Sequence, residues 1–147
     1  VTIMHGVDLS PAMVEKARRS GFYAEGAVTF GDLVGYLAGQ GAETFDLLMA
    51  ADVLVYVGDL APVFHFARRA MTEGGLFAFT VQAGARERFR LGEDLRYHHS
   101  EAYLRDTARH AGLAVGMLSP CVTRQDRGKP VDSLVVVLSR GAGGHVG

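Results

Sequence analysis

The chain opens on an apolar run, VTIMHGV, that ends at Asp8 and gives way within two residues to a helix start. Ser10 is a good N-cap and Pro11 suits the first helical position. Lys16, Arg18 and Arg19 fall in the last turn, where cations favour the negative end of the helix dipole, and Gly21 closes the helix. A strand over residues 1–7 that hands over directly to a helix is the first step of an alternation of strands and helices along the chain. That is the logic of a mainly parallel sheet with helices on its faces.

The rest of the chain repeats the pattern. Residues 27–30 read as a short strand and 32–37 as a short helix, broken by Gly39 and Gly41. FDLLMAA, residues 45–51, is a second buried strand. Asp59 can cap a helix running to about residue 71, with Pro62 in its tolerant first turn and Arg68 and Arg69 near its end. Gly74 and Gly75 stop that helix, and residues 76–81 form a third apolar strand. Residues 82–99 are too polar and too rich in arginine to be core, and read as irregular. Ser100 caps a helix to about residue 110, which Gly112 ends. Residues 113–124 and 131–140 read as two strands whose short connection, QDRGKP, makes them antiparallel. The expected fold is therefore α/β: a mostly parallel sheet with a C-terminal antiparallel hairpin, one core over residues 1–140, and a flexible glycine-rich tail over 141–147.

Composition narrows the function classes. At 147 residues, 48% hydrophobic and 21% charged, the chain is long enough for one domain with a real core. A net charge of -1 gives no electrostatic footprint for nucleic acid or an acidic membrane. No apolar run reaches the roughly 20 residues of a membrane span. No secretory signal opens the chain. Cys121 is the single cysteine, so a disulfide framework and a cysteine metal cluster are excluded and a reducing cytoplasm is the expected address. A chain that begins with Val1 reads as a piece of a longer protein.

In an open α/β sheet, ligands bind outside the carboxyl ends of the strands. Asp8, Asp32 and Asp52 lie at such ends. The Asp8 carboxylate is placed to accept from both hydroxyls of a ribose, with capping of the next helix as the alternative. Asp32 can accept from the exocyclic amine of an adenine, or can be the N-cap of the short helix after it. Ala50 and Ala51 are small enough for backbone to approach a ligand. Asp52 faces the crevice or starts a turn; Tyr56 is expected to pack under a helix. His98 and His99 are neighbours without the partner spacing of a metal site, and read as loop histidines near a substrate entrance. His65 lies inside a helix and reads as structural, and Cys121 as a small buried hydrophobe.

Several phrases then resemble one family. GVDLSPAMVEKAR is similar to the second strand and following helix of class I methyltransferases that use S-adenosylmethionine. FDLLMAADVLVYVGDL resembles their fourth strand and the loop beyond it, and FHFARRAMTEGGLFAFTV their next helix, glycine turn and fifth strand. The closing hairpin resembles their sixth and seventh strands. ADVLVYVGDL and RYHHSEAYLRDTARHAGL look most like methyltransferases that carry tetratricopeptide repeats ahead of the catalytic domain. The resemblance implies a Rossmann-like methyltransferase fold with S-adenosylmethionine as cofactor. It puts Asp8, with Leu9 beside it, at the ribose, Asp32 and Leu33 at the adenine, and Ala50, Ala51 and Asp52 near the methionine part and the methyl group. Glu73 stands where many relatives have proline, a change of little consequence.

One departure is large. The family's first strand and its glycine-rich loop should precede Val1, and nothing in the sequence matches them. The fold is therefore expected to be N-terminally truncated, lacking a strand from the middle of its sheet. Either residues upstream supply it, or the chain folds around the loss, for which pairing with another copy of itself is one route.

Methyl transfer to an acceptor needs positioning above all, and a general base only if the acceptor must lose a proton. Asp52 is the candidate base. Residues 82–99 would shape the acceptor site, with Arg90 and Arg96 able to hold an anionic acceptor. No Asn-Pro-Pro-Tyr motif is present, which weakens adenine or glutamine amino groups as acceptors. Two rivals stand beside this reading. A nicotinamide-dependent dehydrogenase also carries an acid after its second strand, and a chain lacking the loop could be a non-catalytic binding or assembly module.

Overall fold

A computed structural model describes residues 3–86 and 88–141. The expected tail falls largely outside them. The chain divides into two compact units, one up to Gln40 and one from Gly41 onward. Among the described residues no helix is long and apolar enough to cross a membrane.

The first unit holds β1 (Gly6–Asp8), α1 (Pro11–Arg19), β2 (Val28–Phe30) and α2 (Leu33–Ala38). β1 and β2 pair in parallel, Gly6 against Val28 and Asp8 against Phe30. Both helices start as the sequence indicates: Ser10 caps α1, its Oγ accepting from the Met13 amide, and Asp32 caps α2. The Arg18 guanidinium reaches back from α1 to the Val28 carbonyl at 3.0 Å, pinning helix to strand. β1 is shorter than the run that announced it. Residues 1 and 2 lie outside the described residues, and Ile3 and Met4 are exposed and outside any strand. An apolar run becomes a ladder only where a partner strand is present, and β2 offers three residues.

The second unit is built on a six-stranded sheet: β3 (Phe45–Ala50), β4 (Met71–Gly84), β5 (Phe89–Leu91), β6 (Tyr97–Ser100), β7 (Leu113–Asp126) and β8 (Lys129–Arg140), with α3 (Ala61–Ala70) and α4 (Glu101–His110). β3 and β6 run parallel to β4; β8 runs antiparallel to β4, β5 to β6, and β7 to β8. The sheet is thus mixed rather than mostly parallel. The closing hairpin is antiparallel as expected, turning tightly at Arg127 and Gly128, both at positive φ. The core lies where the stripe Val63, Phe64, Ala67 and Ala70 of α3 meets the sheet, Phe64 packing its ring 5.5 Å from Phe79 and edge-on to Phe77 at 6.1 Å.

β4 organises this unit. β8 occupies one of its edges from Leu76 to Gln82. The other edge is shared. β3 covers it up to Phe79, and β6 takes over from Gln82 to Gly84. β5 and β6 are a correction to the irregular stretch expected over 82–99. Their arginines and histidines hide the pattern, yet the turn at Gly92–Leu95 closes a hairpin, the Gly92 amide bonding the Arg96 carbonyl at 2.8 Å. β3 also corrects the sequence reading, for Leu47 and Met49 are 51% and 73% exposed in a strand expected to be buried.

Candidate functional site

Because β1 and β2 are parallel, their carboxyl ends come together in the first unit: the Gly31 amide donates to the Asp8 carbonyl at 3.0 Å. The Asp8 side chain is exposed there. One oxygen, Oδ1, accepts from the Ser10 amide at 2.7 Å, steadying the turn into α1. Leu9 beside it is 66% exposed. Asp32 stands at the end of β2 and does what its capping alternative required, Oδ1 accepting from the Gly35 amide at 2.6 Å. A Cβ on Gly35 would come within 2.7 Å of Asp32 Oδ2, so glycine there keeps the cap close. Leu33 opens α2, half-buried.

In the second unit, Ala50 ends β3 buried, and Ala51 and Asp52 turn outward. Asp52 has φ 55°, a left-handed conformation that aspartate tolerates better than most side chains. Its amide donates to Thr80 Oγ1 of β4 at 2.9 Å. Its Oδ1 accepts from Arg96 Nη1 at 3.3 Å. The Arg96 guanidinium also lies 5.5 Å from the centre of the Tyr56 ring. Tyr56 is therefore not packed under a helix but 61% exposed, beside the arginine. The cluster forms where β3 leaves the edge of β4 and β6 enters it.

The histidine pair, expected in a loop, lies in β6. His99 is fully buried, its ring stacked on Tyr103 at 6.0 Å, with Nε2 2.9 Å from the Gly58 carbonyl. Burial lowers its pKa below the ordinary value, outweighing the carbonyl bonds that act the other way. The Tyr103 hydroxyl donates to Asp59 Oδ1 at 3.1 Å and accepts from the Leu60 amide at 2.8 Å. Burial pushes that phenol up. His98 faces elsewhere, with Nδ1 3.4 Å from the Ala83 carbonyl and Nε2 3.7 Å from Asp94 Oδ1. Asp94 anchors the hairpin tip through Arg124, which also bonds Gln82 Oε1 at 3.0 Å. Partial burial works to raise the Asp94 pKa, but the Arg96 amide, His98, Gln82 and Arg124 together hold it below the usual carboxylate value.

Beyond the carboxyl end of β4 lies a cavity of about 350 Å³ lined by Ala83, Gly84, Ala85, Arg86, Arg90 and His98. Arg90, expected from the sequence to be able to hold an anionic acceptor, is in this lining, and so is Arg86, which the sequence did not single out. Arg96, the other arginine expected to hold an acceptor, is engaged at Asp52 and does not line this cavity. Cys121 is half-buried in β7 and His65 is exposed on α3. No group of three or more metal-ligating side chains occurs among the described residues.

A family model described as a methyltransferase domain matches residues 2–77. No curated protein matches the chain. Among solved structures, the chain is similar to an S-adenosylmethionine-dependent methyltransferase from Mesorhizobium loti, with 19% identity and a TM-score of 0.69 over 95% of this chain and 81% of that one. A methyltransferase of the same description from Methanosarcina mazei gives 11% identity and a TM-score of 0.72, over 93% and 81%. The Burkholderia thailandensis 1,6-didemethyltoxoflavin-N1-methyltransferase, solved with S-adenosylhomocysteine bound, gives 17% identity and a TM-score of 0.67, over 92% and 60%. At these identities the structural likeness is one of fold.

Proposed function

The chain belongs to the methyltransferase domain family, and from that membership we propose that it transfers a methyl group from S-adenosylmethionine to an acceptor held outside the carboxyl ends of its strands. Membership favours this reading over the nicotinamide-dependent dehydrogenase. The observation that carries the site is Asp8. Oδ1 is committed to the Ser10 amide, while no described residue bonds the other oxygen, so the carboxylate keeps acceptor capacity for ribose hydroxyls. Leu9 and Phe30, 66% and 58% exposed at the same strand ends, offer apolar surface to an adenosine. The residues present thus fit the adenosine half of the cofactor. Asp32 and Leu33 are assigned to the adenine edge, with the cap bond as the constraint that fixes the Asp32 side chain.

When bound, S-adenosylmethionine supplies a methyl carbon on a sulfonium, whose carbon–sulfur bond breaks as the acceptor's electron pair forms the new bond. Ala50 and Ala51 leave room for that end of the cofactor. Asp52 accepts the acceptor's proton where one must be lost, and Arg96 orients its carboxylate.

The methionine half requires residues that we assign upstream of Val1: the family's first strand and glycine-rich loop, with the tetratricopeptide repeats that ADVLVYVGDL and RYHHSEAYLRDTARHAGL suggest ahead of them. Support comes from β3, for which β4 is the one strand partner within the second unit among the described residues, and whose Leu47 and Met49 are exposed. A cytoplasmic address rests on the single cysteine.

Calorimetry with S-adenosylhomocysteine tests both parts. In an upstream-extended protein, Asp8→Ala is expected to weaken binding about ten- to a hundredfold, the worth of a charged hydrogen bond. Unchanged affinity sinks the assignment of Asp8. The 147-residue chain is expected to bind far more weakly than the extended one. Equal affinities sink the upstream requirement.

A further inference from the structure

We propose that the cavity beyond β4 binds an anionic group of the methyl acceptor, so that the acceptor is a small molecule carrying a carboxylate or phosphate remote from its nucleophile; this rests on the methyltransferase reading above. The cavity is lined by Arg86, Arg90 and His98, with the small residues Ala83, Gly84 and Ala85 as its floor, and no described carboxylate lines it. The lining brings two guanidinium groups together with an imidazole whose Nε2 lies 3.7 Å from Asp94 Oδ1. Arg86 makes no ion pair with a described residue. Guanidinium groups bind carboxylate and phosphate through paired, charge-assisted hydrogen bonds. A volume of about 350 Å³ suits a small molecule or one end of a larger one.

The position of the cavity sets a length. Asp52, near which the methyl is transferred, bonds Thr80. Ala83 lies three residues further along β4, roughly 10 Å at the rise of an extended strand. Arg96, bonded to Asp52 and lying over the Tyr56 ring, stands at the methyl end, and Arg86 and Arg90 line the far end. The expected acceptor therefore has its anionic group on the order of 10 Å from the atom that is methylated.

Inorganic phosphate is the probe. Titrated at constant ionic strength into the isotope-labelled protein, it is expected to shift the amide resonances of Ala83, Gly84, Ala85, Arg86 and His98. In the double variant Arg86→Gln/Arg90→Gln, the apparent affinity should fall at least tenfold. In the charge-matched control Arg105→Gln/Arg109→Gln, on α4, it should stay within twofold. Both arginines of the cavity pair are exposed, and unshifted resonances of the buried Phe77 and Phe79 report that the fold is kept. Absent shifts, or equal losses in the two double variants, overturn the proposal. S-adenosylhomocysteine binding measured on upstream-extended forms of the same proteins separates the two readings. It should survive in Arg86→Gln/Arg90→Gln, and its absence from every sample would count against the methyltransferase reading while leaving the phosphate result to stand by itself.

Discussion

At the scale of single residues, His99 makes the clearest claim on solution behaviour. It is wholly buried, its Nε2–H donates to the Gly58 carbonyl, and its Nδ1 has no hydrogen-bond partner among the described residues. Protonation would bury a charge, a cost that outweighs the help of the Gly58 and Val57 carbonyls, so the folded protein binds that proton less readily than the unfolded chain. The sign follows. The unfolded histidine titrates near about pH 6.5, and the stability associated with the neutral ring is present above that pH and is lost as the pH falls toward the lower folded value. Urea midpoints should drop between about pH 7.5 and about pH 5.5, and drop less in His99→Gln. Parallel curves for the two proteins would contradict the account. The caps belong to the same scale: Ser10 and Ser100 were read as caps from the sequence, whereas capping was one of two readings of Asp32. Each accepts from the amide three residues on, as a short polar side chain at an N-cap does. Tyr56 was not plain, since its exposure follows from an arginine forty residues away in the chain.

At the scale of elements, what was legible depended on whether the pattern was local. The helices and the closing hairpin carry their own periodicity and turns. β5 and β6 do not: FRL and YHHS are short, and their histidines bond partners remote in the chain, Gly58 for His99 and Ala83 for His98. The hairpin tip is held by Arg124, which donates to both Gln82 and Asp94 from β7. Charged hydrogen bonds are worth roughly 1.5–3 kcal/mol each when not fully solvated, less where one partner is part-exposed. Arg124→Met should therefore speed amide exchange across β5 and β6 by roughly tenfold, with little change at the centres of β4 and β8. Uniform acceleration throughout the sheet would show that Arg124 supports the whole unit instead. The mixed sheet has the same origin. Strand–helix alternation foretold parallel neighbours, but the chain gives β4 antiparallel β8 along one edge from Leu76 to Gln82 and replaces β3 by β6 on the other, a topology no local run announces.

At the scale of the molecule, the question is what belongs against β3. Within the second unit, β4 is the one strand that pairs with β3 among the described residues, and strand edges that lack a partner invite pairing, so natural proteins cover or charge them. Leu47 and Met49 are neither covered nor flanked by lysine. Burying two such side chains stabilises by roughly 1.5–3 kcal/mol each, enough to secure a short added strand. If the residues upstream of Val1 supply that strand, the β3 amides that point away from β4 gain carbonyl partners. Hydrogen exchange then distinguishes the cases. In this chain those amides should exchange fast while their neighbours facing β4 are protected. In the upstream-extended protein both sets should be slow, and S-adenosylhomocysteine should slow them further. If a second copy of the chain covers the edge instead, protection in this chain will rise with protein concentration and a dimer will appear in sedimentation. Protection that is the same in both proteins and independent of concentration would mean that β3 ends the sheet, and the methionine half of the cofactor site would then have to be built from other residues.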